Sequence, residues 1–199
     1  TALEKKGMKS LIIDLRDNGG GLLNTCTQMV SRVIDKDKLI VYTKDKEGNK
    51  EEFKSDSGKT LEIPIIILVN GNTASASEIM TGCLKDYGKA TVVGTTTYGK
   101  GIVQNIMPLT DGSAIKFTIA KYYTPNGTDI HKKGIKPDVK VKMSDAQWKK
   151  AQTDEKADKQ LKKAIELLEK KKTKKKKQEL LGKDPEVPVV RCTVKSKPC

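Results

Sequence analysis

The chain has 199 residues, 39 Lys and Arg against 25 Asp and Glu, and a formal charge of +14. No run approaches the roughly 18 apolar residues that mark a membrane-spanning helix, and one His with four Cys, none in a Cys-x-x-Cys, argues against a zinc site. The charge is uneven: residues 149–183 carry 14 Lys against 6 acidic groups, so +8 of the +14 sits there and residues 1–148 hold only +5. No signal-peptide pattern is visible, and Thr1 opens a helix-like stretch, so the chain is read as a fragment of a longer protein.

In chain order, Ser10 to Leu15 is a short apolar run typical of a buried strand. Gly19-Gly20-Gly21 ends it, and Leu22, Leu23, Cys26, Met29, Val30, Val33 and Ile34 then recur at helical spacing. Residues 39–43 and 50–53 flank Gly48-Asn49 as a hairpin. Ile63 to Val69, rich in β-branched residues, reads as a central strand. Asn70 to Thr73 is a turn, Ile79, Met80, Cys83, Leu84 and Tyr87 mark a second amphipathic helix, and Ala90 to Val93 is a strand closed by Gly94. Strands alternating with helices predict a parallel-rich α/β sheet. After Gly101 come two strands, 102–109 and 114–123, joined through Asp111-Gly112. A single helix is expected over 145–181, with Leu161, Ala164, Ile165 and Leu168 on one face, then an extended or disordered Pro-punctuated end. Cys26 and Cys83 read as buried small hydrophobes, and Cys192 and Cys199 flank a short polar loop, with their pairing in an oxidising compartment left open.

Three places combine polar side chains with glycine turns at strand ends, where ligands of α/β sheets gather. Asp14-Leu-Arg16-Asp17-Asn18-Gly-Gly-Gly21 is either a turn needing positive φ or a set of backbone N–H groups for an oxyanion. Asn72-Thr-Ala-Ser75-Ala-Ser77-Glu78 fits a capping box, Ser75 with Glu78, and equally a serine exposed at a helix start, as a nucleophile elbow presents it. Gly94-Thr-Thr-Thr-Tyr-Gly99-Lys100-Gly101 approaches a phosphate-binding loop, but Gly101 replaces the magnesium-binding hydroxyl and a strand follows where a helix is required. A serine and a lysine on such turns can form a dyad if burial keeps the amine neutral. His131, in a Lys-rich turn, is read as an exposed surface histidine.

Five blocks in order, Ile13 to Leu22, Asn72 to Glu78, Tyr98 to Gln104, Tyr123 to Gly127 and Gly134 to Asp138, resemble the carboxy-terminal processing peptidases, the S41 tail-specific serine proteases. The resemblance covers about residues 1–145. It implies a ClpP/crotonase-like core, a parallel-rich sheet with flanking helices, then a β-rich segment and a C-terminal helix. It implies Ser75 as nucleophile, Lys100 as base and Gln104 orienting the lysine from the same strand face. Ser77 competes for nucleophile by composition alone. The implied oxyanion donors are the N–H groups of Ala76 and of Gly20 or Gly21; Gly19 stands where the family usually has Pro. No metal or cofactor is implied.

The domain reading is a protease core at 1–145 without its PDZ domain, a lysine-rich helix at 146–183 and a tail at 184–199. Implied partners are protein or peptide substrates with accessible C-termini. The setting implied is the bacterial cell envelope, outside the cytoplasm, with an upstream membrane anchor, and oligomers are left open. Lys170 to Lys177, seven lysines broken only by Thr173, reads as a solvated helix end. It lacks the interleaved aromatics of a nucleic-acid module, so no nucleic-acid partner is expected.

Overall fold

The computed structural model describes residues 2–57, 60–178 and 189–191. After a short helix α1 (Ala2–Lys5), the elements run β1 (Leu11–Asp14), α2 (Leu23–Val30), β2 (Leu39–Lys44), β3 (Lys50–Lys54), β4 (Ile65–Val69), α3 (Ala76–Asp86) and β5 (Ala90–Gly94). They continue as β6 (Ile102–Pro108), β7 (Ala114–Tyr123), β8 (Val139–Lys140), α4 (Asp145–Thr153), α5 (Lys159–Gln178) and β9 (Val189–Arg191).

Five strands form a parallel sheet in the order β8-β5-β4-β1-β9. The other four form an antiparallel sheet, β3-β2-β7-β6. The expected parallel-rich α/β core is therefore present, and the β-rich segment joins the early hairpin to make the second sheet. Alternation along the strands sorts the core into two faces. Ile13, Ile65, Ile67 and Val92 pack with α2 and α3 through Val30, Ile79, Cys83 and Leu84, and with Ile40, Val41 and Tyr122 of the antiparallel sheet. Ile12, Ile66, Leu68 and Val93 face the other way, onto Leu161, Ala164 and Leu168 of α5. The first half of α5 thus packs on the face formed by Ile12, Ile66, Leu68 and Val93.

The single helix expected over 145–181 is corrected to two, α4 and α5, with a 3-10 turn at Glu155–Ala157 between them. Helical periodicity does not register the break, because aspartate side chains make it. Asp154 accepts the Lys156 N–H, and Asp158 accepts those of Gln160 and Leu161, capping the start of α5. Within the Pro-punctuated end, residues 189–191 pair with β1 as an edge strand. The pairing of Cys192 with Cys199 lies outside the described residues. Cys26 and Cys83 are buried and unpaired, as expected.

Candidate active site

The site is built where β1 and β4 end. β1 leads into the loop of Arg16 to Gly21, and β4 into Asn70 to Ser75 at the start of α3. Ser75 has φ 55° and ψ −121°, a conformation strained for any residue with a Cβ. Strain of this kind persists only when the surroundings over-determine it. Here Thr73 donates its hydroxyl to Leu15 O at 2.7 Å, and the Ala74 N–H donates to Asn18 O at 3.0 Å. Gly20, at φ +98°, lies directly against the elbow: a Cβ there would stand 2.7 Å from Ala74 O, 2.8 Å from Ala76 N and 2.9 Å from Ser75 Cβ.

The Gly20 N–H is taken up by the Asn18 side chain at 3.0 Å. Among the described residues, the N–H groups of Gly21 and of Ala76, the first residue of α3, have no protein acceptor. Gly20, Gly21 and Ala76 line one cavity, whose other walls are largely apolar: Leu15, Leu22, Cys26, Met29 and Met80. Ser77 lies inside α3 and is buried, whereas Ser75 is half-buried at the elbow.

Sequence reasoning treated Glu78 as half of a capping box, and it does accept the Ser75 N–H at 2.9 Å. It does more than that. Its carboxylate is fully buried (0 % exposed) and also accepts the Thr97 hydroxyl at 2.5 Å, the Gly99 N–H at 2.7 Å and the Lys100 N–H at 2.8 Å. The glycine loop that resembled a phosphate cradle therefore does bind an anion with its backbone, namely this internal carboxylate. Its glycines serve close packing. A Cβ on Gly101 would lie 2.5 Å from His131 N, and one on Gly134 2.3 Å from Thr97 O. The turn of Ile130 to Gly134 is thereby pressed onto the loop, which corrects the reading of His131: it is half-buried, and its Nδ1 is buried without a hydrogen-bond partner among the described residues.

Glu78 thus ties together the backbones of the two dyad candidates. Their side chains are not joined: no hydrogen bond links the Ser75 hydroxyl to the Lys100 amine among the described residues, and Lys100 is exposed. The shielded amine expected from sequence is not formed in this arrangement. The physical reason is that the hairpin of β6 and β7 is uncovered, with every residue from Gln104 to Ile119 exposed. Gln104 was expected on the face of Lys100 by strand alternation. Lys100 precedes β6, and a register irregularity falls between Val103 and Gln104, so alternation does not carry across.

The residues of the first motif are held from below by a cluster that sequence reasoning did not identify. Arg16, with a side chain 2 % exposed, pairs with Asp14 at 2.6 Å and with Asp158 at 2.8 Å. Burial alone would lower its pKa, but hydrogen bonds to Asp14 and Asp158 outweigh this and raise it. The only signal in the sequence was an Asp-x-Arg at a strand end, which a turn explains equally well.

The family model of peptidase family S41 matches residues 1–141. The chain belongs to that family. It is 45% identical over 144 residues to a carboxy-terminal processing protease, CtpA, of Bacillus subtilis (strain 168), covering 72% of this chain and 31% of the relative. It is 42% identical over 166 residues to a carboxyl-terminal-processing protease of Synechocystis, covering 83% and 38%. The solved photosystem II D1 C-terminal processing protease is similar in fold, with a TM-score of 0.66 and 38% identity, over 70% of this chain and 36% of that one. The chain thus spans about a third of the length of these relatives.

Proposed function

We propose that this chain carries the nucleophile, base and oxyanion donors of a serine endopeptidase that cleaves protein substrates near their C-termini. The observation that carries the reading is the strained Ser75 elbow at the start of α3, packed on Gly20 beside the unpaired N–H of Ala76. Strain concentrated on one serine, next to free backbone donors, is the arrangement a nucleophile elbow uses.

In this reading the Ser75 Oγ attacks the scissile carbonyl while its proton passes to the Lys100 amine. The tetrahedral oxyanion accepts from Ala76 N–H and from Gly21 N–H, since that of Gly20 is engaged by Asn18. As the intermediate collapses, Lys100 returns the proton to the leaving amine, and an acyl-Ser75 ester forms. Water, deprotonated by the same amine, then releases the acid. Productive chemistry requires the Lys100 side chain to turn from solvent toward Ser75 under a cover over the β6–β7 hairpin, with Gln104 orienting it. The apolar cavity beside Ala76 suits an uncharged side chain next to the cleaved bond. An extracytoplasmic bacterial setting and membrane attachment outside this chain belong to the same proposal.

A serine-directed covalent probe tests it. Labelling of the protein should map to Ser75, vanish in Ser75→Ala and persist in Ser77→Ala. The reverse pattern overturns the assignment.

A further inference from the structure

The segment beyond the family-matched residues reaches the proposed site through a continuous set of polar contacts. Arg16 makes the central one. Its Nε and Nη2 donate to the two oxygens of Asp14 at 2.8 and 2.6 Å, and its Nη1 donates to Asp158 Oδ1 at 3.0 Å and to Gln160 Oε1 at 3.1 Å. The ring of Trp148 lies 4.6 Å from the guanidinium carbon, so the planar cation is held at its edges by carboxylates and on one face by an indole. The Trp148 Nε1–H then donates to Asp17 Oδ2 at 3.1 Å.

Asp17 is itself strained, with φ 56°. Its other carboxylate oxygen accepts from the side-chain amides of Asn70 and Asn72, both at 2.8 Å, while its N–H donates to Asn70 Oδ1 at 3.0 Å. Two helices therefore grip Arg16 and Asp17, and these lie two and one residues before Asn18, whose side chain holds the Gly20 N–H and whose carbonyl holds the Ala74 N–H. The grip ends at both halves of the oxyanion site.

We propose that Trp148 and Asp158 are positioning residues. They clamp the Arg16–Asp17 pair from α4 and the start of α5, and so hold the Gly20–Gly21 loop at the distance from the Ser75 elbow that oxyanion binding requires. The inference rests on the peptidase reading for its catalytic consequence, but the clamp itself is a statement about loop order. A misplacement of oxyanion donors by a fraction of an ångström weakens the transition state while leaving substrate binding largely alone. This clamp would be invisible to a family model that stops at residue 141.

Two mild substitutions separate the clamp from bulk folding. Asp158→Asn keeps an oxygen for the Gln160 and Leu161 N–H groups, and so keeps the cap of α5, but removes the charge opposite Arg16. Trp148→Phe keeps an aromatic ring beside the guanidinium while removing the pyrrole portion and its N–H to Asp17. In the full chain, hydrogen exchange at the amides of Asp17, Gly20 and Ala74 should accelerate about tenfold in each variant, while amides of β4 are unchanged. Unchanged exchange at those three amides in both variants overturns the clamp, whatever the activity. In hydrolysis of a peptide substrate, kcat should fall about tenfold with KM within about twofold, and affinity for a peptide aldehyde should weaken with kcat. Exchange that accelerates while kcat and aldehyde affinity stay at the unsubstituted level refutes the positioning role. Failure of the serine-directed probe to label Ser75 in the unsubstituted protein strikes instead at the peptidase reading, and the exchange measurement still decides the clamp.

Discussion

Replacing Glu78 by Gln tests the reasoning about the site most directly, because it changes one atom at the point where two loops meet. The carboxylate accepts from four donors, two per oxygen: Thr97 Oγ1 and Gly99 N on one, Ser75 N and Lys100 N on the other. An amide can replace only one of those oxygens. With its NH2 turned toward Ser75 and Lys100, it would leave both backbone N–H groups facing a donor. Turned the other way, it leaves Gly99 N–H unpaired, and the Thr97 hydroxyl must reverse from donor to acceptor although it already accepts the Ile135 N–H at 2.7 Å. The second arrangement is the cheaper one. Each orphaned donor costs about 1–3 kcal/mol, and the surviving bonds lose their charge assistance.

An opposing effect exists. No salt bridge to Glu78 is present among the described residues, so its charge is held by hydrogen bonds alone, and a neutral amide is easier to bury. Four short contacts to preformed donors outweigh that relief, and a net loss of about 3 kcal/mol is expected for Glu78→Gln. With a urea m-value near 2 kcal/mol/M, the unfolding midpoint should drop by about 1.5 M at unchanged m. Equilibrium urea titration at neutral pH measures it. A midpoint unchanged or raised would show that desolvation dominates at this carboxylate, and that Glu78 is not what holds the Ser75 and Lys100 backbones together.

Gly20→Ala should slow labelling of Ser75 by about tenfold or more, because the new methyl meets the elbow at 2.7–2.9 Å; Gly21→Ala, where a methyl meets nothing within 4 Å, should leave labelling unchanged. Burial would raise the Asp158 pKa, but the hydrogen bond from Arg16, the N–H groups of Leu161 and Gln160 and the guanidinium charge together lower it. A carboxyl held below its unfolded value stabilises the fold above that value and loses the contribution as pH falls, so melting temperature should drop steeply below about pH 4, and less steeply in Asp158→Asn. Burial pushes the Cys26 thiol up to about 12 against a smaller opposite effect from the Met80 backbone. Iodoacetamide at pH 8 should therefore leave Cys26 unmodified until the protein is unfolded, and modification in the native state, read by peptide mapping, would contradict its burial.

Much of the architecture was legible because the strands of the parallel sheet are covered on both faces. Ile12-Ile13 and Ile65 to Val69 are apolar without interruption, and such runs bounded by glycine turns have few readings. The break between α4 and α5 was not legible, since Asp154 and Asp158 occupy positions an exposed helix face also tolerates. The order of the site motifs could be seen, whereas the work of Glu78 and Arg16 could not. Both have local readings, a cap and a turn, that account for their presence without the partners 19 to 144 residues away that occupy them. The relation of Lys100 to Gln104 does not follow from alternation for another reason: a strand's alternation is reliable only inside its ladder, and here the ladder begins at Ile102 and slips at Gln104.

The two halves of the proposed dyad differ in how firmly they are held, and this difference bears on mechanism. Ser75 is fixed by the sheet, by Gly20 and by Glu78, and the loop opposite it is gripped from α4 and α5. Among the described residues, the hydrogen bond that holds Lys100 to Glu78 is from its backbone; its side chain and the hairpin beyond it are exposed, Ile106 61% and Phe117 39%. The serine is thus preorganised while the base is not. Any surface that covers the start of β6 and turns the amine inward would supply both the desolvation and the geometry at once. Covering the hairpin and activating the base would then be the same physical event, and hydrolysis should depend more steeply on what covers that hairpin than on changes at the serine's own surroundings.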